Sequence, residues 1–169
     1  MRQLILDLIP DHPPTLENFA TGGNADALTA LAGWLSTENR ETCLFLWGES
    51  GAGKTHLLRA CAANCGNTCI HAYADAAADP DLGTLTTDAA FIAVDNVEAL
   101  NGAGQITLFN HFNRLRASGG RLIAAAEAPP LQMTQTLRED LRTRLGSGLI
   151  FRLRTLSDAE KIATLNAQA

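Results

Sequence analysis

The sequence predicts an α/β protein built on a parallel, doubly wound sheet, and three observations carry that expectation. Short apolar runs of strand length alternate with longer stretches of helical period along the 169 residues, the order that sets parallel strands side by side with helices on both faces. One run, Leu44-Phe45-Leu46-Trp47, leads straight into Gly48-Glu49-Ser50-Gly51-Ala52-Gly53-Lys54-Thr55. This G-x-x-x-x-G-K-T stretch is a P-loop, whose glycines let successive backbone N–H groups turn inward around phosphates. A later run, Phe91-Ile92-Ala93-Val94, ends in Asp95, the pattern of a strand buried on both faces with a carboxylate at its C-terminal tip. Ligands of such sheets bind beyond the C-terminal ends of the strands, so loop and acid are expected to meet.

Taken in order, Gln3-Leu4-Ile5-Leu6-Asp7-Leu8 precedes Pro10, Pro13 and Pro14, which end regular structure and set residues 1–14 apart as an arm. Leu4, Leu6 and Leu8 alternate at the strand period, so an edge strand folded back on the domain is the other reading, and such a leucine row needs a cover. A turn at Thr21-Gly22-Gly23-Asn24 leads into a helix from Ala25 to Leu35, with Leu28, Leu31, Ala32 and Leu35 on one face and Asn24 as N-cap. The first strand, the P-loop and a helix from His56 to about Asn64 follow, its N-terminus facing the phosphates. Cys69 to Tyr73 reads as the second strand. The acidic, alanine-rich stretch from Asp75 to Asp88, broken by Pro80 and Gly83, has room for one short helix at most. After the third strand, Gln105 to Ala117 is helical and Ser118-Gly119-Gly120 stops it, Arg121 to Ala126 is the fourth strand, and Leu137 to Leu145 is a basic amphipathic helix. Leu149 to Leu153 is the fifth strand, and Ser157 caps a further helix. Residues 15–156 form the sheet domain on this reading.

Composition excludes several classes. With 46% hydrophobic and 18% charged residues the chain is not a disordered one, and no apolar run approaches the ~20 residues of a spanning helix. The N-terminus carries Gln3, Asp7 and Pro10 without a small-residue cleavage site, a poor signal peptide, so a cytoplasmic protein is expected. A net charge of -5 without a Lys/Arg block argues for weak or indirect DNA contact only. Of Cys43, Cys61, Cys65 and Cys69, the last three are four apart; with His71 they offer metal ligands, but alanine-rich neighbours in a reducing compartment favour small core residues without disulfides.

The chemistry concentrates on a few side chains. Lys54 neutralises outer phosphates, Thr55 holds Mg²⁺, and Asp95 holds the same ion through water. Asn96 stands where many related ATPases have an acid; an amide cannot take a proton from attacking water, so intrinsic hydrolysis is expected to be slow and an Asn96→Asp change to raise it. Glu98 reads as a surface carboxylate. Glu127, at the tip of the fourth strand beside Pro129-Pro130, stands where a γ-phosphate sensor sits, and equally where a solvated loop acid would.

The P-loop running on into Lys54-Thr55-His56-Leu57-Leu58, the upstream Asn18-Phe19 and Gly23-Asn24, and Arg142-Thr143-Arg144-Leu145 before Gly148-Leu149 resemble the AAA+ ATPases of the DnaA branch. Asp95-Asn96-Val97-Glu98, Leu108-Phe109-Asn110-His111-Phe112-Asn113-Arg114 and Arg152-Leu153-Arg154-Thr155-Leu156-Ser157-Asp158 are more similar to the family of DnaA-homologous regulatory inactivators (Hda). The hexapeptide from Gln3 to Leu8 resembles the segment by which that family docks on the DNA-polymerase sliding clamp, the polymerase III β subunit, with Gln3, Leu4, Leu6 and Leu8 as the anchors. The resemblance implies a five-stranded parallel sheet in a three-layer sandwich, ATP or ADP with Mg²⁺ as ligands, and Asn24 and His56 beside the nucleotide. It implies a protein that docks on the clamp and activates hydrolysis of DnaA-bound ATP, with Arg144 as an arginine finger acting in trans, against the plainer reading of Arg144 paired to a carboxylate on its own surface. It allows a homodimer. A helicase-loader-like role is the alternative, and a small-molecule kinase a more remote one. In these families a helical lid follows the sheet; residues 157–169 match only its start, so the lid is expected to be largely absent.

Overall fold

Five short runs of apolar, β-prone residues become the strands, and the structure, a computed structural model, describes residues 13–36 and 38–168. They are β1 (Cys43–Trp47), β2 (His71–Asp75), β3 (Phe91–Asp95), β4 (Arg121–Ala126) and β5 (Leu149–Arg152), all parallel in the order β2-β3-β4-β1-β5. The helices are α1 (Ala25–Leu35), α2 (Lys54–Asn64), α3 (Gly102–Ser118), α4 (Glu139–Leu145) and α5 (Asp158–Gln168). This is the expected doubly wound sheet flanked by helices. β1, β3 and β4 are central, and their continuous apolar runs follow from burial on both faces. Phe45, Ile92, Val94, Leu122 and Ala124 pack against Leu108, Phe112 and Leu115 of α3 and Leu141 and Leu145 of α4. Leu44, Leu46, Ala93, Ile123 and Ala125 pack against Leu31 and Trp34 of α1 and Leu57 and Leu58 of α2. Both layers thus press on the same three strands, and the loops at the strand tips are held from either side. Among the described residues no helix is long and apolar enough to cross a membrane.

Several element ends differ from expectation for tertiary reasons. α3 begins at Gly102, three residues early: the Asn101 side chain accepts from Gly104 N–H at 2.8 Å as N-cap, and Gly104 lies so close to the Pro80 carbonyl that a Cβ would come within 1.9 Å of its oxygen. α4 begins at Glu139, two residues late, because Gln105 holds the approach, accepting from Arg138 N–H at 2.9 Å and donating to the Thr136 carbonyl at 2.9 Å. The capping box at α5 is as expected, Ser157 N–H donating to Glu160 and Glu160 N–H to the Ser157 hydroxyl. The stretch after β2 forms turns without a helix, arranged around the Asp79 carboxylate, which accepts from the Gly83 and Thr84 amides and the Thr84 hydroxyl.

Three further expectations are overturned. Cys65 and Cys69 form a disulfide across the turn that ends α2, their Cα atoms 5.8 Å apart, and β2 starts two residues later than expected, at His71. Cys43 and Cys61 are buried free thiols, pushed up to about 12 chiefly by burial, and no group of three potential metal-ligating side chains occurs among the described residues. Asn24 precedes α1 but its side chain caps nothing. It reaches instead to the chain leaving β5, donating to the Arg154 carbonyl at 2.9 Å and accepting from Arg154 N–H at 2.8 Å. The arm residues Gln3, Leu4, Leu6 and Leu8 lie outside the described residues.

Candidate functional site

The loop between β1 and α2 is held by close backbone contacts. Gly48 N–H donates to the Ala126 carbonyl at 3.2 Å, and a Cβ at Gly48 would lie 2.3 Å from the Leu153 carbonyl oxygen, so strands β4 and β5 grip the loop's first residue. Gly53 has φ +97° and faces the Phe19 ring, which a Cβ would meet at 2.5 Å; only glycine combines that conformation with that neighbour. Glu49, Ser50, Gly51 and Ala52 complete the turn, with Ala52 N–H donating to the Glu49 carbonyl at 3.1 Å. α2 then starts at Lys54, presenting its free N–H groups at the strand tips.

Four polar side chains converge there. Lys54 is buried and its ammonium donates to the loop's own carbonyls, Gly48 at 2.5 Å and Glu49 at 2.9 Å. The Thr55 hydroxyl donates to Asp95 Oδ2, as does the Tyr73 hydroxyl at 2.9 Å, while Asn96 N–H donates to Asp95 Oδ1 at 3.0 Å. Asp95 is only 1% exposed. Ser50, Gly51, Gly53, Lys54, Thr55, Asp95, Asn96 and Glu127 line one cleft of about 260 Å³. A cation without a carboxylate partner, a helix N-terminus and a hydroxyl set against a buried carboxylate fit a polyphosphate with a divalent ion: amides and Lys54 for the phosphates, Thr55 and Asp95 for the ion. The sequence pairing of loop and acid is therefore realised, and Glu127 stands at the cleft wall.

Other expected residues have different duties. His56 donates through Nε2 to the Thr15 carbonyl at 2.8 Å and meets Phe19 edge-on at 5.4 Å between ring centroids, fastening the segment before α1 over the P-loop. The Asn24 amide exchanges two hydrogen bonds with the Arg154 backbone, which makes that side chain a brace between the start of α1 and the chain leaving β5. Asn96 has a left-handed backbone, φ +54°, and its amide donates to Asp75 Oδ1 at 2.7 Å. Glu98 corrects the surface-carboxylate reading. Its Oε2 is buried without a partner among the described residues, and its pKa is raised first by burial and then by Glu127 and Asp95, against the pull of Lys54. The short turn Val97–Ala99 folds it inward instead of out.

Tyr73 was not singled out by the sequence, because its role depends on β2 lying next to β3. Its phenol is pushed up to about 12, first by burial and then by Asp95, and the Arg59 guanidinium lies 4.4 Å from its ring centroid.

Arg144 lies at the other end of the sheet. It shares a cleft of about 510 Å³ with Arg40, Glu41, Arg116, Thr143 and Cys43, the last of which begins β1, whereas the P-loop leaves the strand's far end, about 13 Å away at strand rise. Its guanidinium is 5.8 Å from the Phe109 ring centroid. The one ion pair among the described residues joins Arg138 and Asp140 at 3.2 Å; Arg144 forms none there, although Glu41 lines the same cleft.

No family model matches the chain. Among solved structures, a DNA replication initiation factor superposes with a TM-score of 0.80 at 23% identity, over 96% of this chain and 55% of that one. A replication initiator DnaA bound to AMPPCP and single-stranded DNA gives 0.77 at 25% identity, over 92% of this chain and 56% of that one. The chain thus spans about half the length of these initiators. Its fold is that of the AAA+ P-loop proteins of the DnaA branch. Protein NMB1076 of Neisseria meningitidis is 38% identical, with a TM-score of 0.56 over 74% of this chain and 83% of that one. The chain belongs to the same family as that protein.

Proposed function

We propose that the chain is a nucleotide-binding regulator of replication initiation that docks on the DNA-polymerase sliding clamp and stimulates, in trans, hydrolysis of ATP bound to DnaA. The observation that carries this reading is the position of Arg144: a guanidinium with no ion pair among the described residues, at the sheet end opposite its own P-loop, which suits action on another molecule's nucleotide. Likeness to DnaA structures, one of them bound to AMPPCP, supports both the nucleotide and the replication setting.

In this reading the chain's own cleft binds ATP or ADP to hold the molecule in an active shape. Loop amides and Lys54 would take the phosphates, and Thr55 with Asp95 would hold Mg²⁺, which would supply positive charge to the phosphates. Turnover there is slow, since Asn96 is engaged by Asp75 and offers no base. Arg144 acts elsewhere: charge building on the transferring phosphoryl group of the partner is met by a planar, permanently charged donor. An arginine supplied in trans is worth about 10³–10⁵-fold in rate. The segment Gln3-Leu4-Ile5-Leu6-Asp7-Leu8 tethers the chain to the clamp, a glutamine in a polar pocket and leucines in an apolar cleft. Such a protein works in the cytoplasm.

The test is phosphate release from ATP-loaded DnaA with clamp on DNA. At least a hundredfold acceleration by the chain is expected, lost on changing Gln3, Leu4 and Leu6 to alanine. No acceleration with clamp present would overturn it.

A further inference from the structure

Asp95 is held by more than its own loop. Its Oδ2 accepts two hydroxyl donors, Thr55 from the P-loop helix and Tyr73 from β2 at 2.9 Å, and its Oδ1 accepts the Asn96 amide at 3.0 Å. With both oxygens engaged and the residue 1% exposed, the carboxylate plane is fixed. The three donors are not equivalent. The Asn96 amide is local, and Thr55 is itself the side chain that would meet the cation, so Tyr73 alone fixes Oδ2 from outside the P-loop. The ring is held in turn: it packs in the α2-side core, and Arg59 of α2 covers it at 4.4 Å. A half-buried phenol whose hydroxyl finds its partner in the carboxylate is an outer support of the kind that orients metal-binding groups.

We propose that Tyr73 is a positioning residue for the divalent cation of the P-loop cleft, its hydroxyl keeping Asp95 Oδ2 turned toward Thr55 so that the cation-holding pair stands assembled before nucleotide arrives. This rests on the reading of the cleft as a Mg²⁺–nucleotide site. The effect of Tyr73 is on the ion and not on the phosphates, because the loop amides and Lys54 make no hydrogen bond to it. Nucleotide bound without Mg²⁺ is therefore indifferent to the hydroxyl.

The experiment titrates Mg²⁺ into the full chain with fluorescent N-methylanthraniloyl-ADP, for wild type, Tyr73→Phe and Arg59→Met, with parallel titrations in EDTA. Tyr73→Phe keeps the ring and its stacking and removes one oxygen. The expected result is a rise of about tenfold in the Mg²⁺ concentration giving half-maximal tightening, with the affinity in EDTA unchanged. Arg59→Met, which loosens the ring but keeps the hydroxyl, gives a smaller rise in the same direction. An unchanged or lower Mg²⁺ midpoint in a folded Tyr73→Phe chain, or equal weakening with and without Mg²⁺, overturns the inference and leaves the site reading standing. A wild type that binds the nucleotide without any response to Mg²⁺ overturns it too. A wild type that binds no nucleotide removes the site reading, and the inference with it.

Discussion

Replacing Asn24 by alanine tests how the P-loop's surroundings are braced. The side chain is 3% exposed and spans 130 residues of sequence to join both backbone groups of Arg154. Alanine removes one donor and one acceptor and leaves the Arg154 carbonyl and N–H without their partner. An orphaned buried backbone group costs about 1–3 kcal/mol, and since these two are only partly buried the pair comes to about 2–4 kcal/mol. At about 2–4 °C per kcal/mol for a chain of this size, the melting temperature falls by roughly 4–16 °C. Asn24→Asp is the sharper variant: one oxygen still accepts from Arg154 N–H, but the other faces a carbonyl oxygen and repels it, so it is at least as damaging as alanine. Thermal denaturation by circular dichroism, with and without saturating ADP, measures the loss. If Asn24→Ala melts within 2 °C of wild type while nucleotide affinity drops tenfold, Asn24 is a ligand contact and the bracing argument is wrong.

Other changes have equally definite outcomes. Gly53→Ala forces a Cβ into the Phe19 ring at φ +97°; left-handed strain and overpacking together cost about 2–4 kcal/mol, read by urea denaturation, and nucleotide binding is lost with the loop shape. Glu98→Gln removes a buried carboxylate whose folded pKa lies above its unfolded value. The wild-type native state then holds more protons than the unfolded chain above the unfolded pKa, so its stability falls as pH rises from there through the folded pKa, and the variant, flat there, gains on it over that window. A wild-type curve no steeper than the variant's would refute this. Asn96→Asp sets a carboxylate where the amide now donates to Asp75 at 2.7 Å. The expectation from sequence reverses: basal phosphate release does not rise at neutral pH, and the melting temperature drops there but recovers in acid as the pair shares a proton.

What could be read from the chain divides along physical lines. β1, β3 and β4 are buried on both faces, so continuous apolar runs mark them, and the P-loop and Asp95 are local signals whose meeting follows from the parallel topology. Features that depend on distant partners left no local trace. Asn24 looks like an N-cap because the residue type and position suit one; its true partner, Arg154, is reached only once β5 lies beside β1. Tyr73 meets Asp95 because β2 is the neighbour of β3, and an alternating edge strand gives no hint of which side chain touches the acid. Glu98 turned inward through a turn of three residues, Val97–Ala99, too short for periodicity to reveal. The helix expected from Gln105 starts at Gly102 because Asn101 caps it, and Gly104 is tolerated inside it because the Pro80 carbonyl leaves no room for a side chain. The role proposed for Arg144 comes from resemblance alone, since a basic residue late in a short helix is ordinarily a favourable partner of the helix dipole.

The measurement closest to the centre of the account is single-turnover hydrolysis of ATP on DnaA, with clamp on DNA, for the wild-type chain against Arg144→Ala and Arg144→Lys. Both variants should bind nucleotide and clamp as wild type does, yet lose at least a hundredfold of the acceleration, the lysine included because a point charge lacks the planar fork. Full acceleration by Arg144→Ala would contradict action in trans through this residue, and loss of nucleotide binding along with it would make Arg144 part of the fold.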